Sequence, residues 1–363
     1  MAGNFASIPI LDYSLLTRGQ KPAFIDQLRH ALINVGFLYL ANSPVNEDLI
    51  ETLISYVPRL FDLDSAKKDA IRMANSQHFL GYSRLGSELT KGATDQREQF
   101  DFATEHICQW KPGDPEFLKL WGASQWPDED ALPGFRATML KYLAQVEALG
   151  YAFIQLLAEA FGLPPDGLSG FYDDPKLMQH RAKIVKYPTL DTVSSDQGVG
   201  PHFDAGFLTF LLQASPHPGL QVQNLSGQWI DAPPIPGTFV VNIGKGLETA
   251  TQGLAKATSH RVLSPPKGST PRYSIPFFQN IGQRVRLNEH VLQFPPGILK
   301  LKEERGTTGT TDSVNFSEYD RELSGLVQLI GRVKSHPEVA ERHYPDLFKQ
   351  FFPNGLPAHG SAY

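Results

Sequence analysis

The stretch GPHFDAGFLTFLLQ, residues 200–213, decides how this chain is interpreted. It places a His-Phe-Asp triplet directly before an apolar run, and more short apolar or alternating runs lie on either side. Gly, Pro, Asn and Ser separate these runs at the spacing typical of an all-β sandwich or barrel. We therefore predict strands at residues 182–187, 207–212, 219–223, 228–231, 237–243, 260–264 and 272–279.

Helical patterns precede and follow this β segment. Asn46 is placed to cap a helix in which apolar residues recur at helical spacing. The clearest apolar stripe ends at Gly162 and Pro164, which both stop helices. We predict strands at 5–11 and 35–40, helices at 21–34, 45–71 and 133–161, and helical patterns after residue 317 that end near 337–351.

The layout predicts one structural unit, mainly β with flanking helices. An amino-terminal region of helices and strands (1–179) packs on a β core (180–295), and a carboxy-terminal helical tail follows (296–363). A single β domain with helices packed on its outside fits this order better than two independent domains do. The helix at 133–161 is expected to be structural and to back the sheet.

Composition excludes several classes of protein. Hydrophobic residues make up 41% and charged residues 20% of the 363 residues, which excludes a wholly disordered or fibrous chain. The net charge of -5 favours neither nucleic acid nor an anionic membrane as a partner. A single cysteine, Cys108, excludes an internal disulfide and a cysteine zinc cluster. With no signal-peptide pattern and no apolar run of roughly 18 residues, we expect a cytoplasmic monomer whose partner is a small-molecule substrate.

The triplet His202-Phe203-Asp204 is the first candidate metal site. Side chains two residues apart on a strand point to the same face, so the imidazole and the carboxylate can converge on one ion. Such a triplet arises readily by chance among eleven histidines. The triplet His336-Pro337-Glu338, in the helical tail, is interpreted as such a chance occurrence.

A second histidine strengthens the candidate. His260 lies 56 residues after Asp204 and opens the apolar strand SHRVLS. Two imidazoles and one carboxylate on one face of an octahedron are the ligand set of non-haem Fe(II) oxygenases. This set leaves three positions for a co-substrate and O₂, whereas the absence of thiolates disfavours a closed structural zinc site.

A candidate carboxylate site follows along the chain. Arg272 and Ser274 share a strand face in PRYSIPFF, and a guanidinium fork beside a hydroxyl suits a bidentate carboxylate. Tyr187, in KIVKYP, can add a phenol donor. The alternative is an arginine on the surface next to a serine, and the position after His260 favours the site.

These motifs resemble the Fe(II)/2-oxoglutarate-dependent dioxygenases of the isopenicillin N synthase-like branch. Between about 180 and 285, the resemblance covers Tyr187-Pro188, GPHFDAGFLTFLLQ, GLQVQNLSGQWIDAPP, GTFVVNIGKGLE, SHRVLSPP and RYSIPFFQN in the family's order. The amino-terminal IPILDYS and NVGFLYLANSPV extend it over nearly the whole chain. It implies a double-stranded β-helix, or jelly-roll, core with iron bound at its open mouth.

The resemblance also implies roles for individual residues. The iron ligands would be His202, Asp204 and His260. The distal carboxylate of 2-oxoglutarate would be held by Arg272 and Ser274, with Tyr187 assisting. Asn242 would orient the co-substrate or the loop near it. One departure is Val185, which stands where plant members usually carry asparagine. The implied reaction converts 2-oxoglutarate and O₂ to succinate and CO₂ while a substrate C–H bond is hydroxylated, desaturated or cyclised.

The substrate is expected to be small and largely apolar. Phe207, Phe277 and Phe278 could line an apolar pocket, although each could equally belong to the core. Arg97, in the predicted strand DQREQFDF (95–102), could anchor an acidic group of the substrate. The alternative there is a charged, solvated edge strand.

Two other functions stay open on the sequence alone. An isopenicillin N synthase-like oxidase would use Fe(II) and O₂ without 2-oxoglutarate, and its Arg-x-Ser pair would hold a substrate carboxylate. A non-catalytic jelly-roll binding module would keep the scaffold without the chemistry, but the intact ligand positions disfavour it.

Overall fold

Two β-sheets face each other and form a double-stranded β-helix core in the computed structural model, which describes residues 4–90, 93–191, 195–306 and 322–356. The strands are β1 (Ile10–Asp12), β2 (Phe37–Ala41), β3 (Gly81–Ser83), β4 (Leu89–Thr90), β5 (Ala93–Thr94), β6 (Glu98–Ala103), β7 (Arg181–Tyr187), β8 (Gln197–His202), β9 (Leu208–Gln213), β10 (Leu220–Gln223), β11 (Trp229–Asp231), β12 (Thr238–Ile243), β13 (His260–Leu263) and β14 (Arg272–Gln279). The helices are α1 (Lys21–His30), α2 (Glu47–Phe61), α3 (Ser65–Ala70), α4 (Phe135–Ala160), α5 (Lys245–Ala250), α6 (Pro296–Arg305), α7 (Ser324–Ser335), α8 (Pro337–His343) and α9 (Pro345–Phe351).

The major sheet has the order β1-β2-β12-β9-β14-β7-β6-β3, and the minor sheet has the order β11-β10-β13-β8. Strands from the amino-terminal region extend the major sheet at both of its edges. Every pairing in the major sheet is antiparallel except that of β1 with β2. The described amino-terminal strands of this sheet are therefore hydrogen-bonded into one unit with the β core.

Alternation along β14 shows how each face of the major sheet is used. Ile275 and Phe277 are fully buried and join the large apolar cluster that α1, α2 and α4 form on the outer face. Arg272 and Ser274 point the other way, into the cavity between the sheets. Period-two geometry thus separates a structural face from a face that carries polar chemistry.

The long helix and the central strands lie within one or two residues of their predicted positions. α4 ends where Gly162 adopts a positive φ of 74°, a conformation that glycine tolerates best. Asn46 caps α2 by accepting a hydrogen bond from the Leu49 amide at 2.8 Å.

Other boundaries differ from the prediction. The first strand is only three residues long and begins at Ile10 instead of residue 5. The helix predicted at 45–71 is two helices, because the buried apolar stripe of α2 ends at Phe61 and α3 has no buried residue. The list of predicted strands did not contain β8, and no helix was predicted at α5. Among the described helices, none is both long and apolar enough to cross a bilayer.

We expect Leu149→Ala, on α4, to lower the free energy of unfolding by about 2–5 kcal/mol, because this side chain is only 1% exposed within the main apolar cluster. Leu299→Ala, at a position that is 42% exposed, should change it by less than about 0.5 kcal/mol. Urea denaturation of the two variants measures both values. Equal losses would contradict the burial of this helix face.

Candidate metal centre

Strand pairing places the two histidines side by side. His260, at the start of β13, is the register partner of His202, at the end of β8. Their ring centroids are 4.2 Å apart. The Phe37 ring packs against His260 in a T-shaped contact with a centroid distance of 5.2 Å. Two adjacent antiparallel strands therefore supply both imidazoles from the minor sheet.

Asp204 is not on the strand that the sequence pattern predicted for it. β8 ends at His202, and the aspartate lies in the turn beyond it. The Lys245 amide donates a hydrogen bond to the Asp204 carbonyl at 2.8 Å. Position 244 must be glycine, because a Cβ there would lie 2.1 Å from the Gly206 carbonyl oxygen. Tight packing of the turn on the segment after β12 thus holds the carboxylate in place.

The three candidate ligands converge. One carboxylate oxygen of Asp204, Oδ1, lies 3.8 Å from Nε2 of His202 and 3.8 Å from Nε2 of His260. One ligand atom from each residue can be chosen so that all three lie within 4.8 Å of one another. This spacing is compatible with three bonds to a single ion, and two imidazoles with one carboxylate suit Fe(II).

Hydrogen bonds on the far side orient each histidine. Nδ1 of His202 lies 2.8 Å from the Gly200 carbonyl oxygen, and Nδ1 of His260 lies 3.3 Å from that of Thr258. Because a carbonyl only accepts, the proton belongs on Nδ1 and the lone pair on Nε2 faces the metal position. This is the usual arrangement of metal-binding histidines in proteins.

The second oxygen of the Asp204 carboxylate is held by the major sheet. Oδ2 accepts a hydrogen bond from Asn242 at 2.8 Å and another from the Thr209 hydroxyl. These two residues are register partners on β12 and β9. Asn242 therefore orients the carboxylate. Thr209 was not predicted, although a threonine inside the apolar run FLTFLL was a signal that could have identified it.

Electrostatics keep the candidate ligands in the protonation states that metals require. Burial, followed by the neighbouring His202, lowers the pKa of His260 to about 4. Burial also lowers the pKa of His202. Burial would raise the pKa of Asp204, but the two imidazoles and the Asn242 and Thr209 hydrogen bonds hold it below its usual value. At neutral pH the site therefore presents two neutral imidazoles and a carboxylate.

A buried guanidinium lies in the same cavity. Arg272 is 1% exposed, and its guanidinium carbon lies 5.0 Å from the centroid of the Tyr187 ring. Its Nη2 donates to the Gln213 side-chain oxygen at 3.0 Å, but Nε and Nη1 have no hydrogen-bond partner among the described residues. Burial lowers the pKa of this arginine, opposed by Tyr187. Unpaired N–H groups on a buried cation fit an anionic ligand such as a carboxylate.

The predicted Arg-x-Ser pair and Tyr187 meet in this cavity. Ser274 is 2% exposed and faces Val185, its register partner on β7. All four side chains, those of Arg272, Ser274, Tyr187 and Val185, line the cavity together with the candidate metal ligands. A valine at 185 therefore gives the cavity an apolar contact where the resemblance implies an amide.

Of the three phenylalanines proposed for the pocket, one lines the cavity and two lie in the core. Phe278 lines the cavity because it shares a strand face with Arg272 and Ser274. Phe277 points to the outer face and is fully buried in the apolar cluster there. Phe207 is also fully buried, and its ring packs 5.1 Å from that of Phe171. Phe207 and Phe277 therefore belong to the core, so the expectation that they line the pocket gives way to their packing role.

Arg97 lies at the cavity wall, immediately before β6. This strand is not an edge strand, because β3 and β7 flank it on both sides. Nη2 of Arg97 lies 2.9 Å from a Glu88 oxygen and 3.1 Å from an Asp95 oxygen, and these carboxylates raise its pKa against the effect of burial.

Lys183, on β7, also lines the cavity and was not predicted. A lysine inside the apolar run AKIVKY was the signal for it.

These features fit one class of protein, the oxygenases that bind a transition metal beside a carboxylate co-substrate. A family model described as "2OG-Fe(II) oxygenase superfamily" matches residues 174–281 of this chain. A second model, described as "non-haem dioxygenase in morphine synthesis N-terminal", matches residues 8–129. A 2-oxoglutarate-dependent dioxygenase of Dothideomycetidae sp. (strain 11243) is 43% identical over 95% of this chain and 94% of that protein. The chain therefore belongs to the 2-oxoglutarate- and Fe(II)-dependent dioxygenases.

Other similar proteins support the same family assignment. A homoarginine-6-hydroxylase of Glycine max is 34% identical over 77% of this chain and 86% of that protein. A full-length Neurospora crassa protein, crystallised in complex with alpha-KG, is 28% identical, with a TM-score of 0.67 over 89% of this chain and 95% of that chain. The protein is thus an enzyme that uses Fe(II), 2-oxoglutarate and O₂, as its sequence predicted.

We expect Thr209→Val and Asn242→Ala each to weaken Fe(II) binding about 10- to 100-fold, because each removes a hydrogen bond that orients the Asp204 carboxylate. Anaerobic titration of the apoprotein with Fe(II) measures the affinity. Thr238→Val is the matched control, since Thr238 on β12 donates instead to the Ile235 carbonyl. Unchanged affinity in both site variants would show that Asp204 needs no such support.

Proposed function

We propose that His202, Asp204 and His260 bind the Fe(II) of this dioxygenase and that Arg272 binds the distal carboxylate of 2-oxoglutarate. The observation that carries the proposal is that two guanidinium nitrogens of buried Arg272, Nε and Nη1, have no hydrogen-bond partner among the described residues, in a cavity that the three converging ligands also line. Ser274 adds a hydroxyl to the carboxylate site, and Tyr187 packs against the guanidinium.

When bound by these residues, Fe(II) would supply the oxidation of an unactivated C–H bond, with O₂ as oxidant and 2-oxoglutarate converted to succinate and CO₂. The residues of this chain position and shield the reactants. Apolar side chains of Phe37, Leu220 and Val262 line the cavity and limit the access of water. Hydroxylation, desaturation and cyclisation are all compatible with this site.

Anaerobic addition of Fe(II) and then 2-oxoglutarate should produce a weak visible charge-transfer band. Arg272→Ala should lose the band at 2-oxoglutarate concentrations that saturate the wild type, because losing a charged hydrogen-bond partner costs about 1.5–3 kcal/mol. Arg261→Ala is the control, since Arg261 lies one residue after His260 and stacks on Trp229. An unchanged band in Arg272→Ala would contradict the proposal, because the distal carboxylate of 2-oxoglutarate would then be held by another residue.

We further propose that the substrate is a small metabolite with a largely apolar body and an acidic group that Arg97 anchors. Apolar side chains line the cavity beside the candidate ligands, and two cations besides Arg272, namely Arg97 and Lys183, lie in the same wall. Names of similar proteins support an acidic group: homoarginine-6-hydroxylase and 1-aminocyclopropane-1-carboxylate oxidase both refer to amino acids. An arginine held by two carboxylates loses little conformational freedom on binding a third anion.

Substrate-stimulated succinate release tests the acidic group. Amino acids with apolar side chains and related apolar carboxylic acids should stimulate release more than the corresponding amines without a carboxylate. Arg97→Ala should raise KM for the stimulating compound about 10- to 100-fold, whereas the exposed Arg84→Ala should not. Equal stimulation by the amines would contradict a role for Arg97 as anchor.

The cellular setting is proposed on composition alone. The single cysteine in 363 residues supports a cytoplasmic location, and the net charge of -5 gives no reason to expect nucleic-acid or membrane partners. We also propose that the protein is a monomer. Light scattering coupled to size-exclusion chromatography measures the oligomeric state.

A further inference from the structure

The carboxy-terminal helices dock next to the cavity through their own apolar cluster. This tail cluster is separate from the main core, and Phe79 stacks on Tyr344 within it at a centroid distance of 5.4 Å. Its buried members come from both sides of the contact, including Met73 and Phe79 from the body and Val339 and Tyr344 from the tail.

Polar contacts fix the tail on the segment that precedes β3. The Tyr344 hydroxyl donates to the Gln77 carbonyl at 2.7 Å. Nε2 of His343 lies 3.1 Å from the Ala74 carbonyl oxygen, and Glu338 pairs with Arg72. The tail therefore has a defined position relative to the active-site cavity.

His336, at the junction of α7 and α8, faces the ionic groups of the cavity wall. The side chain is 6% exposed, and Nε2 lies 3.8 Å from Oε1 of Glu88. Its ring also packs against Phe79. Burial lowers the pKa of His336 to about 4 although Glu88 opposes this, so the imidazole is neutral at neutral pH. The triplet interpreted as accidental in the sequence thus places its histidine beside the candidate substrate site.

Glu88 is the shared partner of Arg97 and Lys183. Its Oε2 lies 2.9 Å from Nη2 of Arg97 and 3.3 Å from Nζ of Lys183, and it accepts a hydrogen bond from the Gln99 amide at 2.8 Å. Burial would raise the pKa of Glu88, but Arg97 and Lys183 hold it well below its usual value. The side chains of Arg97, Lys183 and Gln99 thus all contact Oε2 of Glu88. His336 faces the other oxygen, Oε1.

From these contacts we propose that His336 is a positioning residue for substrate binding, acting on Arg97 and Lys183 through Glu88. The inference rests on the proposed role of Arg97 as anchor for an acidic substrate group. The imidazole fills the space beside Oε1, so its removal lets the carboxylate turn about the Oε2 contacts and changes its position relative to one or both cations. The carboxy-terminal tail thereby completes the substrate end of the cavity, while the iron and 2-oxoglutarate positions depend on other residues.

A spectroscopic test needs no substrate. In protein labelled with ¹⁵N-arginine, the Arg97 Nε–H resonance is assigned by its loss in Arg97→Lys. Nε of Arg97 is buried and has no partner among the described residues, so its resonance should be sensitive to the position of the guanidinium. His336→Ala should shift or broaden it, and His336→Gln, which keeps a donor near Oε1, should restore it at least in part.

The matched control is His343→Ala, the same change at another histidine of the tail, which contacts the Ala74 carbonyl and not Glu88. This control should leave the Arg97 resonance unchanged. An unchanged resonance in His336→Ala, or an equal effect in His343→Ala, would overturn the proposal, because general docking of the tail would then explain the result.

Kinetics separate this inference from the proposed function. With a compound that stimulates succinate release, His336→Ala should raise substrate KM about tenfold and leave kcat and the KM for 2-oxoglutarate nearly unchanged. A matching change in kcat or in 2-oxoglutarate KM would contradict a role confined to substrate positioning. If no acidic compound stimulates the wild type, the proposed substrate class fails, while the arginine resonance still decides whether His336 positions Arg97.

Discussion

The constraint on which this structure depends is the convergence of two imidazoles and a carboxylate, all at least partly buried, with one ligand atom from each within 4.8 Å of the others. Polar groups lose hydration when they are buried and need partners in exchange. The Gly200 and Thr258 carbonyls satisfy Nδ1 of the two histidines, while the Asn242 amide helps to satisfy the far oxygen of Asp204. The minor sheet therefore supplies the imidazoles and the major sheet supports the carboxylate, so the metal position requires both sheets.

The two arginines of the cavity differ in whether a carboxylate neutralises their charge. Arg272 has no carboxylate among its described contacts and keeps two N–H groups unpaired, which suits tight binding of an anion present in every catalytic cycle. Arg97 is already paired with Glu88 and Asp95. A neutralised cation attracts an anion less strongly, so an acidic group bound there depends more on geometry than on net charge. This contrast would keep 2-oxoglutarate from competing for the proposed substrate site.

Segments far apart in the sequence build the wall around Arg97. Glu88 precedes β4, Lys183 lies on β7 and His336 comes from the tail, yet Nζ of the lysine and Nε2 of the histidine lie 3.3 Å and 3.8 Å from Glu88 oxygens. Asp95 adds a link to the metal site, because it accepts a hydrogen bond from the Gly200 amide, and Gly200 in turn supports His202. Asp95 and Gly200, and not His336, thus connect the substrate wall to the metal ligand candidate His202 by hydrogen bonds.

The sequence by itself determined the central strands, the long helix α4, the family and the candidate ligand and carboxylate residues, because period-two alternation and ordered motifs are local properties of the chain. Only the tertiary structure decided what each polar residue in those strands contacts. It separated Phe278, in the cavity wall, from Phe207 and Phe277, in the core. It also joined Thr209 to Asp204 and His336 to Glu88. Such contacts span separate elements, and no local pattern encodes the distance between them.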